Sequence, residues 1–286
     1  KGQDMSYRHI ENLYKAKDIL LFKECYAMEK IHGTSAHIKY NNGIVTYFAG
    51  GEKHDRFVKL FDESKLLPVF TAMGKDSVTV YGEAYGGKMQ AMSDTYGKDL
   101  KFIAFEVTIG DTWLCVPDAA DIVASLGLEF VYYAKIPTTL EALDLEMNTP
   151  SVQAVRNGCG SDKKREGIVL RPLVEVTKNN GDRIMAKHKR LDFQETKTPR
   201  PLDADKLQIL EAADAIADEW VTYMRLEHVL QAFPEHKMEI CGDLAKAMVE
   251  DVIREAAGEI VDTKEARKAI SKKAIAMFKD KVTKLN

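Results

Sequence analysis

Tyr26-Ala27-Met28-Glu29-Lys30-Ile31-His32-Gly33-Thr34 reads as a β-strand that puts Tyr26, Met28 and Lys30 on one face, followed at once by a turn at Gly33. A lysine at such a strand end is either a solvated surface residue or an amine held at the rim of a site. The Lys-x-x-Gly spacing alone does not separate the two.

Four later segments carry the residue types that nucleotidyl transfer through a lysine needs. Tyr81-Gly82-Glu83 offers a carboxylate beside a glycine, suited to ribose hydroxyls where backbone must come close, or else a plain strand-end turn. Phe102-Ile103-Ala104-Phe105-Glu106 offers an aromatic for stacking on a base, with Phe102 and Phe105 expected on opposite faces. Arg165-Glu166-Gly167 opens an apolar strand, so Glu166 is either a metal ligand or part of a salt-bridged turn. In Arg183-Ile184-Met185-Ala186-Lys187-His188-Lys189, alternation puts Lys187 and Lys189 on one face. Two lysines there either guard an exposed sheet edge or aim at one phosphate.

The chemistry links these segments. A free lysine has a pKa of ~10.4 and presents almost no neutral amine at pH 7, so a nucleophilic Lys30 needs cations nearby. Lys187, Lys189 and a bound Mg²⁺ would depress it, and would also stabilise charge on an α-phosphate and a departing pyrophosphate.

Around this core the chain has 286 residues and 45% hydrophobic content, enough for two domains. No apolar run reaches the ~18 to 20 residues that cross a bilayer, so a soluble, cytoplasmic protein without membrane contact is expected. Lys1 to Asp4, ahead of Met5, read as an expression leftover. Cys25, Cys115, Cys159 and Cys241 form no close pairs, which fits reduced thiols and excludes a disulfide or zinc-ribbon scaffold.

The net charge of −3 hides an uneven distribution: residues 162 to 200 hold eleven Lys/Arg against six Asp/Glu, and residues 201 to 286 hold thirteen against seventeen. Short strand-like runs fill residues 5 to 197. Ser35–Tyr40 and Ile44–Ala49 flank an Asn42-Gly43 turn, and Val78–Glu83, Phe102–Ile109, Gly167–Arg171 and Arg183–Lys189 are further strands beside a helix at Ala119–Leu126. Lys197-Thr198-Pro199-Arg200-Pro201-Leu202 is the expected linker. Beyond it, residues 203 to 286 read as an all-α domain, with helices at Leu207–Tyr223, Leu226–Phe233, Asp243–Ala257 and Thr263–Val282 and with Asp243 and Thr263 as N-caps. The fold class is therefore α+β, antiparallel-rich, followed by a helical domain.

The order Lys30-Ile31-His32-Gly33, Gly82-Glu83, Phe105-Glu106, Glu166-Gly167 and Lys187-x-Lys189 resembles the covalent nucleotidyltransferase superfamily. Within it, Glu29 to Thr34 and the opening Tyr7 to Asn12 resemble the phage RNA ligase 2 and kinetoplastid RNA-editing ligase family, where DNA ligases and capping enzymes usually have Asp in place of His32. The resemblance implies an ATP-grasp-like adenylyltransferase domain that uses ATP and Mg²⁺, with Mn²⁺ able to substitute. It implies Lys30 as nucleophile, His32, Lys187 and Lys189 on phosphates, Glu83 on the ribose, Phe105 on adenine and Glu166 at the metal, with Glu29 and Ile31 among the nucleotide-binding residues.

The family's basic position between the first two motifs falls on Lys53 or Arg56 without a clear match, and its usual acid after the stacking aromatic is here Glu106 in place of Asp. The helical C-terminal domain would engage RNA through Arg225, at a looser match. The implied reaction joins RNA 3′-OH and 5′-phosphate ends, in repair of nicked duplex RNA, by a monomer in the cytoplasm, or in a host's cytoplasm for a phage gene. A DNA ligase or a GTP-dependent capping enzyme is the rival within the superfamily, and both normally append a β-rich OB-fold that a helical tail cannot supply. A non-catalytic binder of nucleic-acid ends is the rival outside it.

Overall fold

The computed structural model describes residues 7–200, 202 and 208–285. Lys1 to Asp4, the domain start at residue 203 and the helix start at Leu207 lie outside the described residues. The chain divides into two compact units, Lys1–Arg190 and Leu191–Asn286.

The first unit runs β1 (Glu24–Lys30), β2 (Thr34–Asn41), β3 (Ile44–Phe48), α1 (His54–Val58), α2 (Glu63–Ala72), β4 (Ser77–Tyr85), α3 (Ser93–Tyr96), β5 (Lys101–Ile109), β6 (Thr112–Trp113), α4 (Val116–Ser125), β7 (Tyr133–Pro137), α5 (Leu140–Asn148), α6 (Val152–Arg156), β8 (Gly167–Arg171) and β9 (Ala186–Lys189). Two sheets result, ordered β7-β1-β8-β9 and β3-β2-β4-β5-β6, with every neighbouring pair of strands antiparallel. The expected α+β, antiparallel-rich class is what the chain adopts.

Local chemistry explains the elements. Asn42 and Gly43 both take positive φ, 46° and 88°, and close the β2–β3 hairpin with Asn41 opposite Ile44, the geometry that favours this residue pair in two-residue turns. Asp62, Thr139 and Ser151 cap α2, α5 and α6 through side-chain oxygens. One face of the five-stranded sheet buries Ile38, Val80, Ala104 and Val107 against Leu66 and Phe70 of α2 and Ala119 and Val123 of α4. Its other face and the four-stranded sheet share a second cluster, in which Met28, Tyr26 and Val169 meet Tyr85, Ile103 and Phe105.

Arg183–Lys189 is a strand only from Ala186, because the backbone before it turns to residues 176 and 177 instead, Ile184 N donating to Val176 O and Arg183 bridging Thr177, while the Arg183 guanidinium binds Glu175 and Glu106. The lysines do not guard an open edge either. Residues 11–13 lie alongside β9, with Lys187 N donating to Glu11 O and Leu13 N to Lys187 O, and both lysines are buried.

The second unit holds α7 (Ala213–Trp220), α8 (Tyr223–Leu230), α9 (Cys241–Glu255) and α10 (Lys264–Leu285). Their apolar stripes, including Ile270, Ala274, Phe278 and Val282 of α10, form one core with Trp220, Leu226, Leu244 and Met248. Thr263 caps α10 by accepting from Ala266 N, as expected. Asp243 does not cap α9, which already starts at Cys241 after a 3-10 turn at Met238–Ile240; the aspartate sits inside the first turn, where its charge favours the helix dipole. The single helix expected over 207–223 is shorter, since Leu210 pairs with Ile260 and Thr222 caps a new helix by accepting from Arg225 N.

The segment Lys197–Leu202, read from sequence as a linker, is bound to the helical unit in its first part. Lys197 N donates to Glu219 O, Thr198 N to the Glu219 carboxylate, and Arg200 pairs with Glu219 and Glu259 at 2.7 and 2.9 Å. The units therefore part at Arg190/Leu191. Among the described residues no helix is long and apolar enough to cross a membrane.

Candidate nucleotidyl-transfer site

Strand register assembles the site. Lys30 of β1 lies opposite Gly167 of β8, which lies opposite Lys189 of β9, so the two lysines share a face across a residue with no side chain. The next row on that face is Met28, Val169 and Lys187. Gly167 is needed for space: a Cβ there would meet His188 O at 2.3 Å and Lys189 Cα at 2.7 Å. Gly33 answers the same demand, since its Cβ would meet Ala84 O at 2.2 Å. The Lys-x-x-Gly glycine thus serves the close approach of β4 rather than a positive φ.

Glu166, 1% exposed, is the centre of charge. Lys30 Nζ stands 3.1 and 3.0 Å from its two carboxylate oxygens, Lys189 Nζ 3.3 Å away, and His32 Nδ1 3.4 Å away. Burial would raise this carboxyl, but Lys30, His32 and Lys189 together outweigh burial and hold it well below the usual carboxylate range. The immediate partner of Lys30 is thus an anion, where the sequence pointed to a cationic cluster around it. Glu83 differs: its Oε1 accepts from Gly33 N at 3.0 Å, and burial pushes its pKa up to about 8, against the pull of Lys30. Two nearby carboxyls with acidities driven apart can do different work, one as a fixed anion and one as a group that is largely protonated at neutral pH.

Phe105 owes its place to a β-bulge. The β4–β5 register slips between Tyr81 and Gly82, so Gly82 faces Ala104 while Tyr81 faces Glu106, and Phe105 is the extra residue. Phe105 joins the cluster between the sheets and Phe102 the opposite face, as alternation indicated. The bulge brings Glu106 round as well, and both reach Tyr7. The Tyr7 ring packs edge-on against Phe105 with centroids 5.0 Å apart, and its hydroxyl donates to the Glu106 carboxylate. Glu106 is fully buried and also binds Arg183 and Arg171, the latter at 3.1 Å. Arg183 lies over the Trp113 ring at 4.1 Å. Sequence reading missed Arg171 and Trp113, because the partners that bring them here, Glu106 and Arg183, lie tens of positions away.

Other expected site residues fall elsewhere. Glu29 points to the opposite face of its sheet, where its carboxylate accepts from Ser151 Oγ, Val152 N and Gln153 N and so anchors the start of α6. The Ile31 side chain packs in the cluster with Met28, Tyr85 and Tyr96. Lys53 is the residue just before α1 and Arg56 pairs with Glu52 at 3.2 Å, both on exposed surface. Their loop is tied to the motif through Gly51 N, which donates to Thr34 Oγ1. Arg225 is a correction to the sequence reading. It is 1% exposed and donates to Trp220 O while pairing with Asp251 at 2.6 Å and Glu195 at 3.2 Å, so it holds the helical unit together and has no face for RNA.

The fold resembles solved structures of the Naegleria gruberi RNA ligase. A lysine-to-methionine variant with AMP and manganese aligns at TM-score 0.53 and 14% identity, and the ligase with pyrophosphate at 0.52 and 15%. In each case the match covers 68% of this chain and 58% of the other, so this chain spans well under two thirds of those ligases. No curated protein sequence matches. The RNA ligase family model matches residues 23–189, from the residue before β1 to the last lysine of β9 and more than half of the chain. With Lys30, Glu83, Phe105, Glu166, Lys187 and Lys189 all inside those bounds, the chain belongs to the RNA ligase family.

Proposed function

We propose that the chain is an ATP-dependent RNA ligase that works through a covalent AMP on Lys30. The observation that carries this reading is the row Lys30–Gly167–Lys189 with both ammonium groups within 3.3 Å of the buried Glu166. A lone surface lysine has no such surroundings.

The Lys30 amine, having given its proton to solvent, attacks the α-phosphorus of ATP. A nitrogen–phosphorus bond forms, the bond to the bridging oxygen breaks, and pyrophosphate leaves. An RNA 5′-phosphate oxygen then takes the AMP from the lysine, and a 3′-OH attacks that activated phosphate, joining the strands and releasing AMP. Lys189 and Lys187 on the same face offset charge on the phosphates, and His32 beside Glu166 helps orient them. Phe105 stacks on the adenine, and Glu83 hydrogen-bonds the ribose while Gly33 N holds it in place.

The residues fit a divalent cation of the Mg²⁺ type. Among the described residues no three His, Cys, Asp or Glu converge on one point, and Mg²⁺ is commonly held by one or two carboxylates with water and substrate phosphates completing its shell. Glu166 would hold it, and the ion, Mg²⁺ or Mn²⁺, would supply charge neutralisation at the phosphates and compete with Lys30 for the carboxylate. The substrate is proposed to be a nick in duplex RNA sealed by a monomer, and the cytoplasm is the proposed compartment, which the four unpaired cysteines support.

The test is incubation with ATP labelled at the α-phosphate and Mg²⁺. The wild-type chain takes up label and Lys30→Ala does not; label on the alanine variant would overturn the reading. Sealing assays with ATP against GTP, and with RNA against DNA nicks, separate this activity from the rest of the superfamily.

A further inference from the structure

With Arg225 buried, the helical unit needs another surface if it is to meet RNA, and α10 has one. Its cations fall into two sets. Arg267, Lys273, Lys281 and Lys284 are neutralised by Asp262, Asp218, Glu227 and Asp280. Among the described residues, Lys264, Lys268, Lys272 and Lys279 form no ion pair and are exposed.

The second set is not scattered. Positions 264, 268 and 272 follow one another at four-residue steps and 279 follows seven later, so all four lie on one strip of the helix. That strip faces away from the buried row Ala266, Ile270, Ala274 and Phe278. At ~1.5 Å per residue it is about 22 Å long. Like charges four apart on a helix repel. They are maintained here although residues 201 to 286 carry seventeen acids against thirteen bases. On α10 itself the acids are Glu265, in the first turn, and Asp280, already bound to Lys284.

A line of uncompensated positive charge on an otherwise acidic unit fits a polyanion. A membrane surface is disfavoured because the apolar face of α10 is spent in the core, with Ile270 and Phe278 fully buried. Charge repeated at ~6 Å steps over Lys264, Lys268 and Lys272, with Lys279 about 10 Å further on, suits the regularly spaced phosphates of a nucleic-acid strand. We propose that Lys264, Lys268, Lys272 and Lys279 of α10 form the contact of the helical unit with the phosphate backbone of the RNA to be sealed. This rests on the ligase reading.

The experiment measures binding of a fluorescent nicked RNA duplex by the full chain across a salt series. It compares wild type, the triple variant Lys264→Ala/Lys268→Ala/Lys272→Ala, and Lys284→Ala as a control on a neutralised lysine. Alanine is the best helix former, so the triple variant keeps α10, and a Lys→Gln triple serves if its melting temperature falls. The triple variant is expected to bind about tenfold or more weakly near 0.1 M salt, with the slope of log Kd against log salt reduced by about 2 to 3, since each phosphate contact contributes roughly 0.7 to 0.9. Lys284→Ala keeps the wild-type slope. Wild-type affinity and slope in the triple variant would overturn the proposal, as would equal competition by polyglutamate, which points to an acidic protein partner. Labelling of the wild-type chain by ATP is run in parallel: its absence fails the ligase reading, while the salt slopes still judge the lysine strip.

Discussion

Phe105 and Glu106 are neighbours in the chain and both turn to Tyr7, one against its ring and one on its hydroxyl, because the β4–β5 ladder slips by one residue beside them. The bulge thereby couples the aromatic proposed to stack on adenine to a buried ion network through Glu106, Arg171 and Arg183.

Tyr7→Ala should therefore loosen Phe105. The KM for ATP in self-adenylylation is expected to rise about three- to tenfold, the worth of one aromatic pair, with a smaller change in kcat. Tyr7→Phe keeps the ring and should show a smaller rise. Equal effects of the two variants would assign the role to the hydroxyl alone.

Glu166→Gln keeps the shape and removes the anion that Lys30, His32 and Lys189 converge upon. Labelling from ATP is expected to fall by about a hundredfold or more, the scale seen when one preorganised electrostatic group is lost. Single-turnover labelling checks it, and a loss of threefold or less would move the phosphate site away from Glu166.

Glu83 makes a pH signature. Its folded pKa of about 8 lies above the ordinary carboxyl value near 4.5, so the folded chain binds a proton that the unfolded chain has released. The protonated carboxyl favours folding below pH ~4.5, and this contribution declines as pH rises toward 8. Glu83→Gln should lower or leave Tm near pH 5 and raise it relative to wild type above pH 8. Parallel Tm profiles for the two proteins would show that Glu83 titrates normally.

Gly167→Ala introduces a Cβ against His188 O and Lys189 Cα. Overpacking of this kind costs about 1 to 3 kcal/mol, and relief must come from moving β9 and with it Lys189. Denaturant melts should show the destabilisation, and labelling should fall further than the residual folded fraction explains.

Arg225→Ala leaves Glu195 and Asp251 as buried anions without their shared partner, a change expected to cost the helical unit about 3 to 5 kcal/mol. RNA affinity per folded molecule should not change. A specific loss of RNA binding without loss of stability would restore Arg225 as an RNA contact.

Strand positions were legible wherever the pattern was local. Asn42-Gly43 announced its hairpin, Gly167–Arg171 its buried strand, and the four-residue steps of α10 its core face. The same locality misled at Arg225, whose charge suggested surface although Glu195 and Asp251, both tens of positions away, hold it inside.

By itself the sequence determined which residue types follow which at Lys30, Glu83, Phe105, Glu166, Lys187 and Lys189, and hence the family. Only the tertiary structure decided that Glu166 is the anion on which Lys30 and Lys189 meet, that a bulge aims Phe105 and Glu106 together, and which lysines of α10 are exposed without an ion pair. The reason is physical: periodicity follows from neighbours in the chain, whereas charge pairing, register slips and burial depend on groups that meet only once the strands have paired.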